Sequence, residues 1–113
     1  MHELGVVIEV VNTVQRFAKK HQVTHVDTIV LQIGELSSMI PKYVETCYPA
    51  AVDGTSLEKT KLEIEIIAAI GLCHHCGESF EILKHRSTCP SCEQNKWGLL
   101  SGKEFMVKEI IAH

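Results

Sequence analysis

The amino-acid sequence predicts an α+β fold, with two helices packed on a three-stranded sheet and a small cysteine-bearing hairpin inserted before the last strand. Three observations predict it. Two segments repeat apolar residues every three or four positions, and three others alternate apolar with polar residues. Two Cys-x-x-Cys pairs then interrupt the order between the second and third alternating segments.

The elements follow in chain order. Residues 3–20 read as an amphipathic helix, with Leu4, Val7, Ile8, Val11, Val14 and Ala18 on one stripe and Glu9, Asn12, Gln15, Arg16 and Lys19 opposite. Lys19, Lys20 and His21 collect in its last turn, where cations suit the negative end of the dipole. A strand follows at about 26–33, with Ile29, Leu31 and Ile33 on one face and Gly34 as its stop. Ser37, Ser38 and Pro41 mark the start of a second helix, whose stripe is Ile40, Val44, Cys47, Tyr48 and Ala51. Pro49 predicts a kink or an early end there, and Gly54 a stop. Lys61 to Ile67 alternates Leu62, Ile64 and Ile66 with Lys61, Glu63 and Glu65, as a half-buried strand does. A last strand is expected at about 103–111. The predicted organisation is a discontinuous α/β body, residues 1–70 plus 98–113, and an inserted module at 71–97.

Bulk properties narrow the function classes. Apolar residues are 45% and charged residues 22% of 113, as in a globular domain, and 14 acidic against 11 basic residues leave a net charge of −3. A duplex-binding surface normally needs a basic excess, so nucleic acid is a disfavoured partner. No stretch is long and apolar enough for a membrane span, and Glu9 breaks the first apolar run, so neither a signal peptide nor a membrane partner is read. Five cysteines, four of them at ligand spacing, suit a reducing cytoplasm and a metal better than a disulfide framework.

Cys73, Cys76, Cys89 and Cys92 form the pattern C-x2-C-x12-C-x2-C. Two residues between cysteines let both sulfurs of a tight turn reach one ion at ~2.3 Å, and the spacer brings two such turns together. Gly77 and Pro90 fit those turns. The pattern reads as a structural Zn(II) site in a zinc-ribbon-like hairpin. Four thiolates close the tetrahedron and leave no position for a reacting water, so no enzyme activity is expected at the ion. Phe80, Ile82, Leu83 and Trp97 are too few to order the segment, so metal binding supplies its folding energy, of order 10 kcal/mol. His74, His75 and His85 lie close by. They read either as solvated loop residues or as groups able to displace a thiolate as pH changes. Cys47 reads as a buried small hydrophobe.

His2 reads either as an ordinary surface residue or as part of a second metal site at the N-terminus. The amine of Met1, the imidazole of His2 and the intervening amides can close fused chelate rings in one plane, a geometry that suits Ni(II) or Cu(II). Amides at a helix start have no intrahelical acceptor to lose, and Glu3 offsets the repulsion between a cation and the helix dipole.

Taken together, the start M-H-E, I-G-E-L-S-S-M-I-P at 33–41, G-T at 54–55, the C-x2-C…C-P-x-C module and G-K-E-F-M-V-K-E-I at 102–110 resemble the HypA/HybF family over nearly the whole chain. The resemblance implies a nickel metallochaperone of [NiFe]-hydrogenase maturation. It implies Ni(II) as transported cargo at the Met1 amine and His2 with Glu3 contributing, and structural zinc at the four cysteines. The implied partners are the GTPase HypB and the hydrogenase large-subunit precursor. The alternatives from other classes are a zinc-ribbon nucleic-acid-binding module and a structural adaptor in which His2 is incidental.

Overall fold

The computed structural model describes residues 3–112. The chain order is α1 (Glu3–Lys20), β1 (Val26–Gly34), α2 (Pro41–Val52), β2 (Lys61–Ile67), β3 (Ile70–Cys73), β4 (Ser79–Glu81), β5 (Trp97–Ser101) and β6 (Phe105–Ala112). Two three-stranded sheets result, ordered β2-β1-β6 and β4-β3-β5. β1 is the centre of the first, parallel to β2 (Ile29 opposite Leu62, Leu31 opposite Ile64) and antiparallel to β6 (Ile29 opposite Ile110, Ile33 opposite Phe105).

Period decides which residues are inside. Val7, Val11 and Val14 of α1, spaced by three or four, meet Ile29, Leu31 and Ile33 of β1 and Val44, Tyr48, Ala51 and Val52 of α2 in one core. Leu62, Ile64, Phe105, Val107 and Ile110 from the flanking strands pack against it, so both helices cover the same sheet face. Leu4 and Ile8, expected on the buried stripe, are 44% and 41% exposed, because they lie on the flank of the line through Glu3, Val7, Val11 and Val14. Ile66 is likewise exposed, at the end of an edge strand beyond the cluster. The half-buried Cys47 packs against the core as a small hydrophobe does. Tyr48 Oη donates to the Thr60 carbonyl at 2.9 Å, and Thr60 Oγ1 donates to the Val26 carbonyl at 2.7 Å, tying α2 to the start of the sheet.

Of the sequence markers for α2, Pro41 does start the helix, the early end at Pro49 does not occur, and Ser37 and Ser38 do not cap it. The helix runs through Pro49 to Val52 rather than ending early, because Val44, Tyr48, Ala51 and Val52 bury a continuous face across the proline. The N-cap is Ile40, with no side-chain cap. Ser37 Oγ instead accepts from the Met39 amide at 3.1 Å, and Pro41 takes the first helical position, where its missing N–H costs nothing.

Residues 98–101, which the sequence reading groups with the body, pair with β3 in the second sheet (Gly71 opposite Leu99, Ile70 opposite Ser101). The chain therefore crosses between sheets twice, after Ile67 and after Ser101. The crossings touch where Gly102 meets Ala69, and Gly102 also meets Gly34 at the end of β1. A Cβ on Gly34 would lie 2.0 Å from the Gly102 carbonyl oxygen, and one on Gly102, where φ is +123°, 2.7 Å from Ala69 Cα. Only glycine fits either position.

Candidate metal centre

The site grows from two copies of one turn. In the first, the Cys73 amide donates to the Glu78 carbonyl at 2.8 Å and the Gly77 amide to the Cys73 carbonyl at 3.0 Å. In the second, the Cys89 amide donates to Gln94 and the Glu93 amide to Cys89, both at 2.8 Å. The residue after each second cysteine must enter the left-handed region. Gly77 does so at φ +79°, and Glu93, not a glycine, at φ +63°. β3 carries Cys73 into the first turn, pairing with β4 and β5 on either side. Beneath lie Ala69, Phe80 and Ile82, with Leu36, Trp97 and Leu99 packed against them. Trp97 Nε1 donates to the Ser87 carbonyl at 3.1 Å, closing the long spacer over this small core.

The two turns bring the four sulfurs together. Cys73, Cys76, Cys89 and Cys92 place their Sγ atoms within 4.8 Å of one another, with Cys73 to Cys92 at 3.5 Å and Cys76 to Cys89 at 3.6 Å. An ion ~2.3 Å from four thiolates at tetrahedral angles sets sulfurs ~3.8 Å apart, so the donor set fits a metal such as zinc. Cys73 and Cys89 are buried, Cys92 is half-buried and Cys76 faces solvent.

The electrostatics point the same way. The Cys76 amide, chiefly, and the His75 amide hold the Cys73 thiol down to about 6 against the cost of burial. Cys76 and Cys92 move upward. The amides of Glu78 and Gln94 favour their thiolates, but burial and the neighbouring sulfurs outweigh them, and Cys92 is pushed up to about 12. A thiolate at Cys73 opposes ionisation of Cys76 and Cys92 beside it, and a bound cation would remove that opposition. His74 packs its ring over Gly98, where an added Cβ would meet Nε2 at 2.9 Å, and His85 lies edge-on to Phe80 at 6.4 Å. His74 and His75 are exposed in the first turn, as solvated loop residues are, and His85 is half-buried. Among the described residues, these cysteines are the one group of three or more metal-ligating side chains brought together.

Of the N-terminal set, Met1 and His2 lie outside the described residues. Glu3 opens α1, where an acidic residue suits the positive dipole end, and is only 7% exposed. Sequence reasoning missed the contacts that join the two sheets. The Glu35 carboxylate accepts from the Ala69 amide at 2.8 Å, and the Glu104 carboxylate accepts from the Gly102 amide at 2.7 Å. Their signal was the placement of a glutamate close after a glycine at both points.

A two-helix, three-stranded body with a four-thiolate hairpin between its strands defines a metal-handling protein, and the one donor set assembled among its described residues fits a structural ion. A family model described as hydrogenase/urease nickel incorporation, metallochaperone, hypA, matches residues 1–112. Hydrogenase maturation factor HypA of Chlorobium limicola is 33% identical over 110 residues, covering 97% of this chain and 95% of that protein. The same factor from Geobacter sp. strain M21 is 36% identical, with 97% of each covered. In fold, the chain is similar to a solution structure of the Ni metallochaperone HypA from Helicobacter pylori (TM-score 0.66, 23% identity, 99% and 97% covered). A second HypA solution structure gives a TM-score of 0.73 at 22% identity, with 100% and 97% covered. The chain belongs to the HypA family of hydrogenase maturation factors, which are metallochaperones and not catalysts. Such a role requires contact with other maturation components. No helix among the described residues is long and apolar enough to cross a membrane.

Proposed function

We propose that this protein binds Ni(II) at its N-terminus, through the Met1 amine and His2 with Glu3 contributing, and delivers it during [NiFe]-hydrogenase maturation. Zn(II) at Cys73, Cys76, Cys89 and Cys92 holds together the hairpin module, whose strands run from Ile70 to Ser101, beside the nickel-binding body. The match of a nickel-incorporation family along nearly the full chain carries this reading. Glu3 in the first turn of α1 supports it, because its negative charge favours a cation at that end. The ligand chemistry supports it too, since a planar nitrogen set selects nickel over the zinc that the thiolates prefer.

Delivery is ligand exchange. A nitrogen site of moderate affinity gives its ion up to a partner stepwise. The HypB GTPase and the hydrogenase large-subunit precursor are the partners proposed, in a reducing cytoplasm where four thiols persist unoxidised.

Nickel titration of the zinc-loaded protein tests the assignment. His2→Ala, or two residues added before Met1, should abolish the planar nickel absorption band and the calorimetric nickel event while zinc content stays unchanged. Nickel binding of undiminished affinity in both variants would show the N-terminal assignment to be wrong.

A further inference from the structure

Broad element-to-element packing stays within each half of the molecule. The helices pack on each other, α2 packs on β2, β1 pairs with β2 and β6, and β3 pairs with β4 and β5. The molecule is correspondingly long, 53 × 28 × 16 Å. The orientation of one half on the other therefore rests on the two crossings and what grips them.

That grip is polar, built from backbone hydrogen bonds and from three side chains, Glu35, Glu104 and Ser101. At the first crossing, Glu35 Oε1 accepts from the Ala69 amide at 2.8 Å, while the Glu35 amide donates to the Ile67 carbonyl at 2.9 Å. At the second, Glu104 Oε1 accepts from the Gly102 amide. The Glu104 carbonyl accepts from Gly34 and the Gly102 carbonyl from Leu36, all three at 2.7 Å. Ser101 Oγ donates to the Ala68 carbonyl at 2.8 Å and ties the crossings together. Each carboxylate thus holds one crossing through a backbone amide, and a charged acceptor makes the stronger kind of hydrogen bond. One apolar contact accompanies them, Leu36 of the body against the Ala69, Phe80 and Ile82 cluster of the module.

We propose that Glu35 and Glu104 form a two-point latch that sets the orientation of the thiolate module on the body, and that neither half needs the latch to fold. The glycines let the chains come close enough to be latched, and the carboxylates fix the angle. The latch also sits where the angle matters. Val6 of α1, Leu36, Met39, Lys103 and Phe105 line one cleft, so the start of α1 lies at the junction end of the body. On the nickel reading above, the angle decides which surface of the module a receiving partner meets beside Glu3. The latch itself does not depend on that reading.

The test uses the full, zinc-loaded chain and no nickel. Backbone amide residual dipolar couplings and nitrogen relaxation are measured separately for residues of each half. The native protein should fit one alignment tensor and one tumbling time. Glu35→Ala combined with Glu104→Ala should give two tensors and a faster-tumbling module, while amide shifts around Val11, Ile29 and Phe80 stay in place. Glu35→Gln with Glu104→Gln keeps a carbonyl acceptor at both positions and should retain a common tensor. The proposal is overturned by a double-alanine variant that still fits one tensor or loses either core. It is overturned equally by glutamine variants that uncouple the halves as fully as alanine does.

Discussion

Replacing Gly34 with alanine puts a methyl group where the facing chain already stands. Its Cβ would lie 2.0 Å from the Gly102 carbonyl oxygen, 2.1 Å from its carbonyl carbon and 2.7 Å from the Lys103 amide nitrogen, against ordinary contact at 3.4 Å or more. The obstacle is backbone, so no rotamer change relieves it, and the second crossing must retreat by more than an ångström. Retreat breaks the Gly34 to Glu104 and Leu36 to Gly102 hydrogen bonds, worth ~1 kcal/mol each, and adds overpacking strain of ~1–3 kcal/mol. The stiffer unfolded chain returns ~0.5–1 kcal/mol, leaving a net loss of ~3 kcal/mol. Gly5, inside α1 with nothing within 4 Å of an added Cβ, is the matched control, and Gly5→Ala should gain ~0.5–1 kcal/mol from helix propensity. Urea unfolding followed by far-ultraviolet circular dichroism reads both. With a slope of ~1–2 kcal/mol per molar, the two midpoints should separate by ~2 M. A Gly34→Ala midpoint within ~0.3 M of the native one would refute the close-approach reasoning.

Three further outcomes are expected. Chelating the metal should change the fluorescence of Trp97, the one tryptophan, which packs on the module core, while the helical circular dichroism of α1 and α2 persists; simultaneous loss of both signals would contradict two cores. Glu93→Gly should relieve a left-handed side chain and improve metal retention against a chromophoric chelator by ~twofold to fivefold, and unchanged or weaker retention would sink that account. Glu65 is held below the usual carboxylate range by its hydrogen bond from Lys108 first and from Gln32 second, so its contribution is present above the unfolded pKa of ~4.3 and is lost as pH falls through the depressed folded value. Lys108→Met should move the Glu65 carboxyl titration, read by carbon NMR, upward toward the ordinary value, with little stability change because the pair is exposed.

What the sequence discloses tracks the length of the pattern. α1 spans five turns, and β1 and β6 are eight or nine residues, so their periods outvoted local noise and their bounds came within a residue or two. β3 and β4 are four and three residues long, too short for any period to register, and their order depends on turns that a metal would close. β5 hid for another reason: Trp97-Gly98-Leu99-Leu100-Ser101 has no alternation, because its register with β3 slips between Ile70 and Gly71. Pro49 misled because local chemistry was weighed without the buried face that spans it. The four cysteines were plain from spacing, since ligand geometry is itself local. Glu35 looked like a surface carboxylate because its partner Ala69 lies on a segment brought near only by the finished fold, whereas Glu104 bonds the amide two residues before it and was marked only by the nearby glycine.

The first sheet is completed only when β6 returns to the edge of β1 opposite β2, yet the chain leaves that sheet at Ile67 and re-enters at Phe105. Everything between is, to the body, a loop that must be closed. A metal-loaded module reduces that loop to the few residues at Ala68–Ala69 and Gly102–Glu104, because β3 and β5 already hold Ile70 against Ser101. Closure entropy grows with the logarithm of loop length, so the shortening favours β1–β6 pairing by ~1.5 kcal/mol. A metal bound there would act on the body as a rivet in the chain: none of the four cysteines belongs to a strand of the first sheet, yet loss of the ion would loosen that sheet's last strand.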